Sequence, residues 1–167
     1  MKIDFTLNGK AVSIEAPAGI SLLTLLREHL GLTGAKPGCE SGECGACSIM
    51  VDGRLVNACM LLAPQAGGCA VLTIEGVFAP GGGLTALQQA FIERGAVQCG
   101  YCTPGLIMAA IALLEANPAP TREEIREGIA GNLCRCTGYQ QIVDAIEAAA
   151  RQQRATAKKE ALVGVNK

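Results

Sequence analysis

Nine cysteines in 167 residues are the part of this sequence best able to do chemistry. Eight of them fall into two sets of four. Cys39, Cys44 and Cys47 are separated by four and two residues, and Cys59 follows after eleven more. Cys99 and Cys102 form a second close pair; thirty-one residues later come Cys134 and Cys136, with one residue between them. Thiols at such spacings in a reducing compartment point to metal ligation or redox chemistry before structural disulfides. Nothing else competes for the role. There is one histidine, no Ser/His/Asp set, and no glycine loop followed by Lys-Ser or Lys-Thr to hold a phosphate.

Three ligands in one loop plus a distant fourth is the plant-type spacing for a [2Fe–2S] cluster. Four thiolates must wrap a small rhombic cluster while backbone N–H groups turn toward the sulfurs. Gly38, Gly42 and Gly45 permit that close approach. A zinc site prefers pairs of short steps, which this triplet lacks. The second set is less specific. Zinc and iron–sulfur both remain open for it, and Cys99-x-x-Cys102 alone resembles a redox dithiol. Cys69 is left over and reads as a buried or half-buried free thiol. His29 reads as a surface residue near a helix end, and Tyr101 and Tyr139 as packing beside the cysteine pairs.

The elements that must position these groups divide at a glycine-rich stretch. Before it, Lys2–Leu7 and Ala11–Glu15 are strand-like runs around Asn8-Gly9, a hairpin turn. Ser21 caps a short helix bearing Leu22, Leu23, Leu25 and Leu26. Ser48–Val51 and Arg54–Met60 form a second hairpin through Asp52-Gly53, and Val71–Ile74 adds a strand. After it, helices are expected from Thr85 to about Arg94, from a Thr103 cap through Ala116, from a Thr121 capping box through Ile129, and from about Gln140 onward. The expected organisation is a sheet domain over 1–76, a linker over 77–83, a four-helix domain over 84–155 and a tail over 156–167, an α+β chain.

Composition fits this plan. Aromatics are 3% and tryptophan is absent, so the cores must be Ala, Leu, Ile and Val, thin enough to profit from a bound metal. The net charge of −1 argues against nucleic acid as a partner. Arg151, Arg154, Lys158, Lys159 and Lys167 make the end basic, which reads as a solvated helix end. No stretch has the roughly twenty apolar residues of a membrane span, and no targeting signal precedes Leu7. A cytoplasmic location is expected.

Three segments carry a family resemblance. Gly38-Cys39-Glu40-Ser41-Gly42-Glu43-Cys44-Gly45-Ala46-Cys47, Gln98-Cys99-Gly100-Tyr101-Cys102-Thr103-Pro104-Gly105 and Gly131-Asn132-Leu133-Cys134-Arg135-Cys136-Thr137-Gly138-Tyr139 closely resemble the small iron–sulfur subunit of the xanthine oxidase family of molybdenum hydroxylases, with its CO dehydrogenase-like heterotrimers. The resemblance spans roughly Lys2 to Arg151. It implies a β-grasp ferredoxin-like domain followed by a four-helix domain, and it assigns the second cysteine set to a second [2Fe–2S] cluster. It also implies partners: a large molybdopterin-binding subunit that oxidises substrate and a medium subunit carrying FAD, assembled as a dimer of heterotrimers. Electrons would run from the pterin through the helical-domain cluster to the β-grasp cluster, then to FAD or another acceptor. The chain itself would hold no catalytic residue. Gln98 matches the glutamine that hydrogen-bonds the pterin, and Cys136 the cluster ligand whose sulfur contacts it. Glu40-Ser41 departs from the family's common Gly-Glu, which bears on sulfur hydrogen bonding rather than on ligation.

Overall fold

The computed structural model describes the backbone of residues 1–164 and side chains through residue 157. Strands β1 (Lys2–Leu7) and β2 (Lys10–Glu15) pair antiparallel. Asn8 and Gly9 both take positive φ, 50° and 79°, the turn whose twist matches a two-residue hairpin. Alternation along β1 sends Ile3, Phe5 and Leu7 into the core. Helix α1 (Leu22–Thr24) starts on Ser21, whose hydroxyl accepts the Thr24 N–H at 3.1 Å, and continues as a widened turn over Leu25–His29. All four leucines of this element are buried beneath the sheet.

Strands β3 (Ser48–Val51), β4 (Arg54–Asn57) and β5 (Ala70–Leu72) complete the sheet, in the order β2-β1-β5-β3-β4. Only β1 and β5 run parallel. The sheet and the helix it wraps form a β-grasp. Two strands are shorter than the sequence suggests. β4 ends at Asn57 because Ala58–Met60 curls into a tight turn, with the Ala58 N–H on the Cys47 carbonyl at 3.2 Å; that turn carries Cys59 back toward Cys47. β5 ends at Leu72 because the Asn8 side chain takes the Thr73 N–H at 2.9 Å.

Ala79 to Gly83 closes on itself, Ala79 N–H to Gly83 O at 3.0 Å, with Gly81, Gly82 and Gly83 all at positive φ. Four helices follow. α2 (Ala86–Glu93) and α4 (Arg122–Gly128) begin on the reciprocal capping boxes Thr85/Gln88 and Thr121/Glu124. α3 (Thr103–Ala116) is capped one residue earlier than expected: Cys102 is the cap, its carbonyl accepting the Leu106 N–H at 3.0 Å, and Thr103 is already helical. α5 (Gln140–Gly164) runs unbroken through position 156, where a tail was expected. Arg151 pairs with Glu147 at 2.8 Å and Arg154 donates to the Pro118 carbonyl at 3.0 Å, so these two basic residues belong to the bundle. The side chains of Lys158, Lys159 and Lys167 lie outside the described residues.

Helix α3 joins the halves. Gly105 through Ala110 are all buried, because α3 packs against β3 and β4 on one side and α4 on the other. A helix wedged between two layers must be apolar on every face, which is why its sequence shows so little amphipathic pattern.

Candidate iron–sulfur centres

The first cysteine set lies on the loop before β3 and on the turn after β4. The loop backbone is aimed at sulfur. Cys39 Sγ accepts three N–H groups, from Ser41 at 3.4 Å and from Glu43 and Cys44 at 3.3 Å, and the Cys39 N–H points to Cys44 Sγ at 3.4 Å. Such a nest of amides stabilises negative charge on sulfur. The Ser41 hydroxyl and these amides bring the Cys39 thiol down to about 6. Two glycines make the curl possible. A Cβ at Gly38 would stand 2.6 Å from Cys44 Sγ, and Gly42 sits at φ +82° beneath Met60. Asn57 donates to the Gly42 carbonyl at 2.9 Å, tying the loop to the strand that leads to Cys59. Cys47 is buried at 3% exposure, and that burial, together with neighbouring Cys59, pushes its thiol up to about 12.

The second set is assembled from two segments. Cys99 and Cys102 precede and cap α3, and Cys134 and Cys136 lie between α4 and α5. Cys136 Sγ donates to Cys99 Sγ at 3.5 Å. That bond raises the Cys136 thiol, whereas the Tyr101 N–H, followed by Cys136, lowers Cys99. Burial pushes the Cys102 thiol up to about 12, aided by Cys134. At Cys134 burial opposes ionisation, but the Thr137 hydroxyl at 3.0 Å and N–H at 3.5 Å outweigh it and the thiol is lowered. Here single amides from separate segments, helped by the Thr137 hydroxyl, stand in place of one continuous nest. Tyr139 Oη accepts the Cys134 N–H at 2.8 Å, and Tyr139 is itself held at φ +69°.

The structure thus places each set of four on its own pair of adjoining segments. All nine cysteines are free thiols, so both donor sets are available, and four thiols with amides preset toward them suit a [2Fe–2S] cluster. Among the described residues no three His, Cys, Asp or Glu side chains close on a point as they would around one metal ion. Cys69 stays apart, half-buried near the Gln65 carbonyl at 3.6 Å, its thiol raised by Asp52. His29 is exposed at the end of the first helical element. Gln98 is exposed beside Cys99, with Cys136 exposed on the same rim.

Four functional residues escaped the sequence reading: Asn132, Thr137, Ser48 and Gly105. Asn132 and Thr137 are buried polar residues flanking Cys134, and a polar side chain inside a cysteine motif with no surface role is the signal that could have found them. Tyr101 and Tyr139 prove to be hydrogen-bonding groups rather than packing alone, Tyr101 donating to the Pro37 carbonyl across the two halves.

A β-grasp domain and a helical domain, each carrying four cysteines on adjoining segments, have the architecture of a two-centre iron–sulfur protein. Comparisons agree. Residues 5–69 match the family described as "2Fe-2S iron-sulfur cluster binding domain", and residues 73–147 match "[2Fe-2S] binding domain". Over 144 residues, the chain is 54% identical to the nicotinate dehydrogenase small FeS subunit of Eubacterium barkeri, covering 86% of this chain and 91% of that one. Quinoline 2-oxidoreductase from Pseudomonas putida 86 contains a chain that superposes with a TM-score of 0.88 at 47% identity, covering 93% of this chain and 96% of that one. Aldehyde oxidoreductase from Desulfovibrio desulfuricans superposes equally well, at 0.88 and 43% identity, but this chain covers only 17% of it. The chain belongs to the small [2Fe–2S] subunits of the molybdenum hydroxylase family, the electron-transfer components of these oxidoreductases. No helix among the described residues is long and apolar enough to cross a membrane.

Proposed function

We propose that Cys39, Cys44, Cys47 and Cys59 ligate one [2Fe–2S] cluster and Cys99, Cys102, Cys134 and Cys136 the other. The chain then relays electrons from a molybdopterin site in a large partner subunit, through the helical-domain centre and the β-grasp centre, to FAD in a medium subunit or another acceptor. The two clusters supply one-electron carriers; everything else is done by this chain's residues. The amides of Ser41, Glu43 and Cys44 hold charge at Cys39, and Thr137 does the same at Cys134. The domains fall at 1–76 and 84–155 with 77–83 as the tether. The resemblance favours assembly as a dimer of heterotrimers in the cytoplasm, which belongs to the same proposal.

The observation that carries this reading is the exposed rim of the helical domain. Cys99 and Cys136 are the exposed members of the second set, and Gln98 beside Cys99 has no hydrogen bond within the described residues, leaving its amide free for a pterin. The geometry suits a pterin edge that meets the helical-domain centre first. Iron and acid-labile sulfide of about four each per chain, with two S = 1/2 signals on dithionite reduction, would support the ligand sets; zinc without sulfide would overturn them. Gln98→Ala should slow reduction of the helical-domain centre by substrate while both signals persist; unchanged delivery from molybdenum would remove Gln98 from the path.

A further inference from the structure

The two cysteine loops touch each other through hydrogen bonds. The Leu133 N–H, adjoining Cys134, donates to the Cys44 carbonyl at 2.9 Å. Beside this bond Asn132 is 4% exposed, and its amide donates to the Gly45 carbonyl at 2.8 Å and to Ser48 Oγ at 3.1 Å. Ser48 Oγ in turn donates to the Gly45 carbonyl at 2.7 Å. A Cβ at Gly45 would collide with the Gly131 carbonyl, and one at Gly105 with the Gly45 carbonyl. The contact is therefore backbone against backbone, locked by one buried amide whose two protons are both used. Burying that amide without these partners would be costly, so its side chain has one satisfied placement.

We propose that Asn132 is a positioning residue for electron transfer between the two centres. It holds the Leu133 N–H on the Cys44 carbonyl, so that a ligand of one centre connects to a ligand of the other through the Cys44 backbone, one hydrogen bond and the Leu133–Cys134 peptide. This rests on the ligand sets proposed above. One electron leaves the reduced helical-domain centre and one arrives at the oxidised β-grasp centre; no bond is made or broken and no proton moves. A bonded bridge conducts better than a gap of the same length, so loosening the clamp slows the exchange and lets the loops part.

The test uses the full chain in its complex, with Asn132→Ala and Ser48→Ala, read by EPR of the fully reduced protein and by the rate at which the β-grasp centre follows reduction of the other. Asn132→Ala should keep both signals, weaken the dipolar broadening each reduced centre imposes on the other, and slow the exchange. Ser48→Ala, which leaves the bond to Gly45, should do so less. If Asn132→Ala fails to load its clusters, Ser48→Ala decides. Two intact signals with wild-type broadening and exchange in the deciding variant overturn the proposal, whatever the loss in thermal stability. Fewer than two centres in the wild-type protein overturn the ligand sets, and this inference with them.

Discussion

The two centres solve one problem in different ways. Around Cys39 a single continuous loop carries its own electrostatics, since three amides of that loop point at one sulfur. Around Cys134 no such loop exists. Two segments from different helices meet; the Thr137 hydroxyl joins its own N–H at Cys134 Sγ, and Tyr139 Oη holds the Cys134 N–H in place. The amides that serve Cys39 are therefore local in sequence, whereas the helical site depends more on tertiary packing and on the Thr137 hydroxyl. The same ligand chemistry can come from backbone conformation or from side-chain identity, and each choice leaves a different vulnerability.

The largest effect that would sharpen this contrast is Cys44→Ser. It should abolish the β-grasp centre and leave the helical one, halving iron and sulfide and removing one EPR signal; retention of both signals would refute the division into two independent sets. Tyr139→Phe should act on the other side alone. It strands the Cys134 N–H at a cost of about 1–3 kcal/mol, altering the line shape of the helical-domain signal while the β-grasp signal stays as it was. A change in both would break the comparison. The smallest effect is at a cap remote from either centre. Thr121→Ala should cost about 1 kcal/mol in thermal unfolding with both signals unchanged. Glu124 in the same cap lies below the usual carboxylate range, held there by the Thr121 N–H and then its hydroxyl. Its contribution is complete above the ordinary carboxylate value and is lost as pH falls through its lower folded value. Glu124→Gln should flatten that acid limb of the stability profile.

This contrast also decides what could be read in the sequence. The x4-x2 spacing and glycines of Gly38 to Cys47 point to one cofactor because the loop is the site. The hairpin turns at Asn8-Gly9 and Asp52-Gly53 and the Thr85 and Thr121 caps were equally visible, since backbone conformation at those positions is set by the residues themselves. Spacing alone left the Cys99/Cys102 and Cys134/Cys136 set open to zinc, because the distance between its halves is fixed by packing of α3 against its neighbours. The family resemblance supplied that reading. The shortened β4 and β5 failed for the same reason: Asn8 and the return of Cys59 toward Cys47 are long-range constraints that override local strand pattern. Asn132 was invisible as a clamp, because its partners lie more than eighty residues away.

The glycine run at 81–83 looks like a hinge in the sequence, yet nothing geometric depends on it. The spacing of the two cysteine loops is set where Gly45 and Gly105 let backbones meet, while the tether only keeps the halves at high local concentration. Its length is then a free parameter. Doubling it should cost about 0.6 kcal/mol in chain entropy and leave the EPR spectrum of the reduced protein unchanged. By the same token the spacing of the two halves is protected from linker drift, and an added methyl at Gly45 or Gly105 would disturb it more than a whole inserted segment.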